Sequence, residues 1–158
     1  MPQLVKGGKH VFGWSRVGLT GCIVVPPAAW DEYGLKQSAK MILMPGSRTS
    51  GGFGLAAPES LGRSPLAAVV AAPNGLWNFQ VPEGVSVEFS GRPYAWITLG
   101  DGSLRVPPPA LAKFGIEVGS RLLVVRGSGR ALGFAVRGPI VEEAGKHPDL
   151  EIFAGPLT

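Results

Sequence analysis

Cys22, His10 and His147 are the only cysteine and histidine side chains in the 158-residue chain, so metal and nucleophile chemistry has few places to reside. A zinc site needs three or four clustered ligands, and these three residues stand at no ligand spacing; no metal is expected. Cys22 as a nucleophile would need a neighbouring base. His10, twelve residues upstream, is the candidate, and a small Cys packed in a strand is the plainer reading. The acid pairs Asp31–Glu32 and Glu142–Glu143 are adjacent in sequence, so their carboxylates diverge instead of forming a dyad. "GSRTSGGFG" and "GSGRALG" join glycine to arginine, as phosphate cradles do. Neither has the Gly-Lys-Ser/Thr ending of a P-loop or leads from a strand into a helix, so both read as hairpin turns. The expectation is a protein that is not an enzyme and carries no cofactor.

The remaining chemistry is positive charge. Residues 1–60 hold six Lys and Arg against three acids, and residues 92–138 hold seven against two. The last twenty residues reverse this, with one Lys against four acids, within a net charge of +4. A basic surface attracts polyanions. Lys9 and Arg16 fall before and within the first strand, Arg92 and Arg105 flank the corresponding region further on, and Arg48 and Arg130 lie in the two glycine turns. These six are the candidate DNA contacts, which on phosphates would fix register without reading sequence. Lys40 and Arg121 stand at matching strand starts. The competing reading of each is solvated charge at a strand end. Trp14, Trp77 and Trp96 would stack on bases if exposed, but with so few aromatics a core role is expected.

The elements that position these residues are written twice. At an offset of 81, residues 21–58 and 102–139 align without a gap, and eleven of 38 positions are identical. The identities include Gly21, Val25, Pro26, Pro27, Ala29, Gly34, Gly46, Phe53 and Pro58. Two copies at this period mean a duplicated unit, not a solenoid. In each copy an apolar strand ("CIVV", "SLRV") stops at a proline, which offers no donor to a ladder. The second proline suits the first turn of a helix. The helix is short, about seven residues ("PAAWDEY", "PALAKFG"), and Gly34 or Gly115 ends it in the left-handed conformation. "KMILM" and "RLLVV" then read as buried strands, and "FGLA" and "FAVR" as the strands returning from the glycine turns. "VFGWSRVGLTG" and "YAWITLGDG" supply each copy with an opening strand and a Gly turn. One such unit buries too little surface to stand alone; two can share a β-core and cover each other's edges.

Between the copies, "PESLGRS" reads as a short helix, "PLAAVVAA" is undecided between strand and helix, and "VSVEF" is a strand entering the second copy by a hairpin. After the second copy, "GPIVEEAGKHPDLEIF" reads as a short helix and a strand ending at Phe153. The organisation expected is a first repeat over 1–60, a connecting segment over 61–91, a second repeat over 92–140 and an acidic extension over 141–158. That extension, at −3, is expected to be able to dock over a basic face. No run approaches the roughly 18 apolar residues of a membrane span. The start "MPQLVKGGKH" lacks a signal peptide's apolar stretch, and a single Cys suits a reducing compartment, so a cytoplasmic protein without membrane contact is expected.

The series strand, Gly turn, strand, "VP", short helix, "GI" or "GL", hairpin resembles the swapped-hairpin DNA-binding domains of the AbrB, MazE and SpoVT type, over residues 11–57 and 94–138. The ending from Val136 is similar to the extension of tandem members of that family. The resemblance implies a mainly β fold in which two strand–short helix–hairpin repeats interlock as an internal pseudo-dimer and close a β-barrel. It also implies a transcriptional regulator that contacts DNA, with further assembly into a homo-oligomer left open. Positions that are often basic in the family hold Cys22, Ser103, Trp30, Asp31, Leu111 and Ala112 here. That departure motivates the alternative: the same barrel without DNA binding, serving as a protein-interaction or small-ligand module.

Overall fold

The computed structural model describes residues 10–58, 81–89, 91–127 and 131–155. Lys9, Trp77, Arg130, "PLAAVVAA" and all but the first residue of "PESLGRS" lie outside the described residues. The first copy contributes β1 (Val11–Arg16), β2 (Cys22–Val24), α1 (Pro27–Glu32), β3 (Lys40–Pro45) and β4 (Phe53–Ala56). β5 (Val87–Phe89) precedes the second copy, which contributes β6 (Arg92–Thr98), β7 (Ser103–Arg105), α2 (Pro108–Lys113), β8 (Arg121–Arg126) and β9 (Leu132–Ala135). α3 (Pro139–Ala144) and β10 (Ile152–Phe153) complete the chain. The fold is mainly β, as expected. Among the described residues no helix is long and apolar enough to cross a membrane.

The short helices form for the reasons their sequence suggests. Pro26 and Pro107 occupy the N-cap positions, and the prolines after them take the first helical residue, where an N–H would have no partner. Gly34 and Gly115 adopt φ of 61° and 77°. Their N–H groups bond to the carbonyls of Asp31 and Ala112, and those of Leu35 and Ile116 reach back to Trp30 and Leu111. This is the Schellman arrangement. It turns Leu35 and Ile116 into the core, where both are buried.

Eight strands form one sheet in the order β10-β1-β8-β9-β4-β3-β6-β5, and β2 and β7 form a separate ribbon. Each copy's opening strand pairs with the other copy's hairpin: β1 runs antiparallel to β8, and β6 to β3. The two returning strands, β4 and β9, meet at the centre. The barrel expected from the sequence does not close. Closure would need β1 and β6 to meet, but their outer edges are taken by β10, in parallel, and by β5. The acidic extension is thereby tied into the sheet: its backbone caps the β1 edge, and Ala144 and Leu150 pack with Trp14 and Leu123.

The strand register refines the duplication. Arg16 pairs with Arg121, and Thr98 pairs with Lys40, the counterpart of Arg121; Arg16 therefore corresponds to Thr98, and Trp14 to Trp96, at an offset of 82. Pro45 pairs with Phe53 whereas its counterpart Arg126 pairs with Leu132, so beyond the hairpin "FGLA" corresponds to "LGFA" at an offset of 79. The ungapped alignment places the second returning strand at "FAVR"; the observed strand starts two residues earlier, because the second hairpin turn is shorter. With these offsets, Gly54 pairs with its own equivalent Gly133, and Ile23 with its own equivalent Leu104. Both pairs therefore lie on one pseudo-two-fold axis. Reciprocal bonds agree: Val25 N–H to Gly102 and Val106 N–H to Gly21, Val17 N–H to Ser120 and Leu99 N–H to Ala39.

The central core lies between one face of the sheet and a layer made of the β2–β7 ribbon and the two helices. Ile23, Leu104, Leu111 and Phe114 there pack against Leu43, Phe53, Leu55, Ile97, Leu122 and Phe134. The opposite sheet face carries two further clusters, one on each wing, centred on Trp14 and on Trp96. Both tryptophans are buried, as expected. Each is overlaid by the cation that opens the neighbouring strand, Arg121 at 4.5 Å from the Trp14 ring and Lys40 at 5.5 Å from the Trp96 ring. Stacking of this kind orients a cation while leaving its charge exposed.

Candidate functional site

The four described members of the sequence-derived set separate into two groups. Arg16 and Arg105 belong to the first. Arg16 ends β1, is exposed, and stands directly opposite exposed Arg121. Like charges facing each other across strands are mutually destabilising unless water or a counter-anion screens them. Arg105 is exposed on the ribbon, paired with Cys22, and the turn after Arg16 leads into that ribbon. Arg121 thus joins the first group, while its counterpart Lys40 pairs with Thr98 in the other half.

Arg48 and Arg92 belong to the second group, and the structure brings them together although they are 44 residues apart. They line a cleft of about 300 Å³ with Lys113 and Arg137, between the first hairpin turn, the start of β6 and the end of α2. Among the described residues, no acidic side chain lines this cleft. Two of the guanidinium groups are held by backbone carbonyls: Arg92 Nη2 donates to Gly46 O at 2.6 Å, and Arg137 Nη2 to Arg48 O at 3.0 Å. Arg137 also lies close against Gly51, where a Cβ would come within 2.5 Å of Nη1, and Gly51 has φ of 64°. Sequence reasoning missed Lys113 and Arg137. Their only signal was charge, since they are distant in sequence from both arginines.

The equivalent region of the other half has different chemistry. The counterparts of Lys113 and Phe114 are Glu32 and Tyr33, and Arg126 stands where the first copy has Pro45. Arg126 donates from Nε and Nη2 to the two carboxylate oxygens of Glu32, at 2.6 and 2.5 Å. This two-pronged contact holds the Glu32 carboxyl below its usual range and raises Arg126 further. His10 packs against Phe12 with ring centres 4.6 Å apart and planes tilted by 46°. Partial burial, and then the charge of Arg126, lower its proton affinity. Tyr33 donates its hydroxyl to Ala131 O at 3.2 Å.

The other candidate chemistry is absorbed into the structure. Glu143 faces Lys146 and His147, at 3.6 and 3.3 Å, as Glu32 faces Arg126. Cys22 is half-buried in β2. At the positions where the family often has basic residues, Leu111 is fully buried and Trp30 packs against the core, while Asp31 and Ala112 are exposed. Among the described residues, no group of three or more His, Cys, Asp and Glu side chains is placed to hold a metal. Compared with protein-family models, curated proteins and solved structures, the chain matches none.

Proposed function

We propose that this chain is a tandem swapped-hairpin domain of the AbrB, MazE and SpoVT type, and that it is a non-enzymatic DNA-binding regulator contacting the phosphate backbone. One observation carries the reading: each copy's opening strand pairs with the other copy's hairpin, about an axis through Gly54–Gly133 and Ile23–Leu104. This is how two separate chains of that family would interlock, drawn within one chain. The facing pair Arg16–Arg121 and Arg105 supply exposed positive charge suited to a polyanion. The two halves are not equivalent, since Arg16 corresponds to Thr98 and Arg105 to Val24, so an asymmetric site suits the protein better than a palindrome.

Joint substitution Arg16→Gln and Arg105→Gln tests the assignment. Each cation removed from a phosphate should lower the slope of log affinity against log salt by about one. A slope unchanged in the double variant would remove these residues from the interface. The second reading is a ligand-binding module, and it is favoured by the cleft around Arg48 and Arg92, which no acidic side chain lines among the described residues.

A further inference from the structure

We propose that the cleft formed by Arg48, Arg92, Lys113 and Arg137 is a binding site for a phosphate group, distinct from the Arg16–Arg105 surface. The inference stands whether or not the chain binds DNA. Four cations line one concavity of about 300 Å³, the lower end of the range for small-ligand sites. Gathering them costs Coulomb repulsion, which a bound anion would relieve. Arg92 and Arg137 are each fixed through one Nη2 by a backbone carbonyl. Guanidinium groups oriented before binding lose less freedom when they take an oxyanion.

The duplication gives the cleft a counterpart to compare it with. In the other half, the position of Lys113 is Glu32, whose carboxylate receives both prongs of Arg126. That half therefore carries its own anion. In this half Lys113 stands in place of Glu32, beside Arg48, Arg92 and Arg137, with no carboxylate among the described lining residues. A phosphate in the cleft would do what the Glu32 carboxylate does on the opposite side of the axis. Its tetrahedral oxygens offer more acceptor sites, in more directions, than the two coplanar oxygens of a carboxylate. Phosphate chemistry has two sources, a small phosphorylated molecule or a nucleic-acid backbone.

Inorganic pyrophosphate, titrated calorimetrically into the full chain at low ionic strength, is the first probe, with chloride at matched ionic strength as the control. One saturable site is expected. Arg92→Gln with Lys113→Gln should weaken it by about ten- to a hundredfold. Lys113→Glu should abolish it, because the new carboxylate would occupy the cleft as Glu32 does in its own half. Arg92 and Lys113 are exposed, so these variants should keep the wild-type fold, checked by circular dichroism. A duplex titration of the same variants identifies the source. Duplex binding abolished together with pyrophosphate binding means the cleft holds a backbone phosphate; duplex binding retained, or absent from the start, means a small phosphorylated ligand. Absence of a saturable site, or pyrophosphate affinity unchanged in Lys113→Glu, would overturn the proposal.

Discussion

Phe53 and Phe134 face each other across the central strand pair, each 1% exposed, with ring centres 4.7 Å apart and planes 23° from parallel. They come from different copies, so their packing exists only if the two repeats fold as one body. Truncation of either to alanine would cost about 3–5 kcal/mol, a large share of the roughly 5–15 kcal/mol that stabilises a domain. Phe→Leu is the better perturbation, at about 1–2 kcal/mol each. Because the rings stack, the double variant should lose less than the two single losses together, by about 0.5–1.5 kcal/mol. Chemical denaturation of the four proteins, followed by circular dichroism, gives this coupling directly, and all four should unfold in a single transition. Additivity within about 0.3 kcal/mol, or two transitions of which each substitution moves only one, would refute a shared core.

Ser38 is the only non-glycine residue with positive φ among the described residues, at 72°, and its counterpart is Gly119 at 88°. Ser38→Gly should therefore stabilise the protein by about 0.5–1 kcal/mol, visible as a rise in Tm; a fall would mean that the left-handed strain is not felt. The depressed Glu32 carboxyl contributes stability that is present above its unfolded value and lost as pH falls through its lower folded value. Glu32→Gln should accordingly be less stable than the parent at neutral pH and equal to it in acid, by denaturation at a series of pH values; a gap persisting in acid would mean the loss is not electrostatic. Burial and then the Arg126 charge lower the proton affinity of His10, so its contribution is present above the ordinary value of 6.5 and declines as pH drops below it. His10→Gln should remove that decline, and an unaltered profile would assign it elsewhere.

Much of this fold could be read from the chain because glycine and proline recur where backbone geometry allows little else. Pro26 and Pro27 with Pro107 and Pro108, and Gly34 with Gly115, mark helix starts and stops that the structure reproduces. The hairpin into β6 and the closing short helix and strand were legible for similar reasons. The offsets of 82 and 79 were not, because the length changes fall in turns whose glycines realign by chance. Trp14 and Trp96 are equivalent, yet the ungapped alignment at an offset of 81 does not bring them together. The pairing at the β1 edge was hidden: the closing strand is read from the sequence, but its two residues, Ile152 and Phe153, carry no pattern that names their partner. Among the site residues, charge alone singled out Arg48 and Arg92. Their meeting with Lys113 and Arg137 depends on the exchanged pairing of the strands, which places the first hairpin turn beside the second copy's helix.

The central claim is that the interlocked basic repeats bind nucleic-acid phosphates. Fluorescence anisotropy of a labelled random-sequence duplex, titrated with the protein at several salt concentrations, tests it most directly. Binding is expected with a dissociation constant at or below roughly 10⁻⁴–10⁻⁶ M at physiological salt, weakening steeply as salt rises. No binding at low salt would contradict the claim.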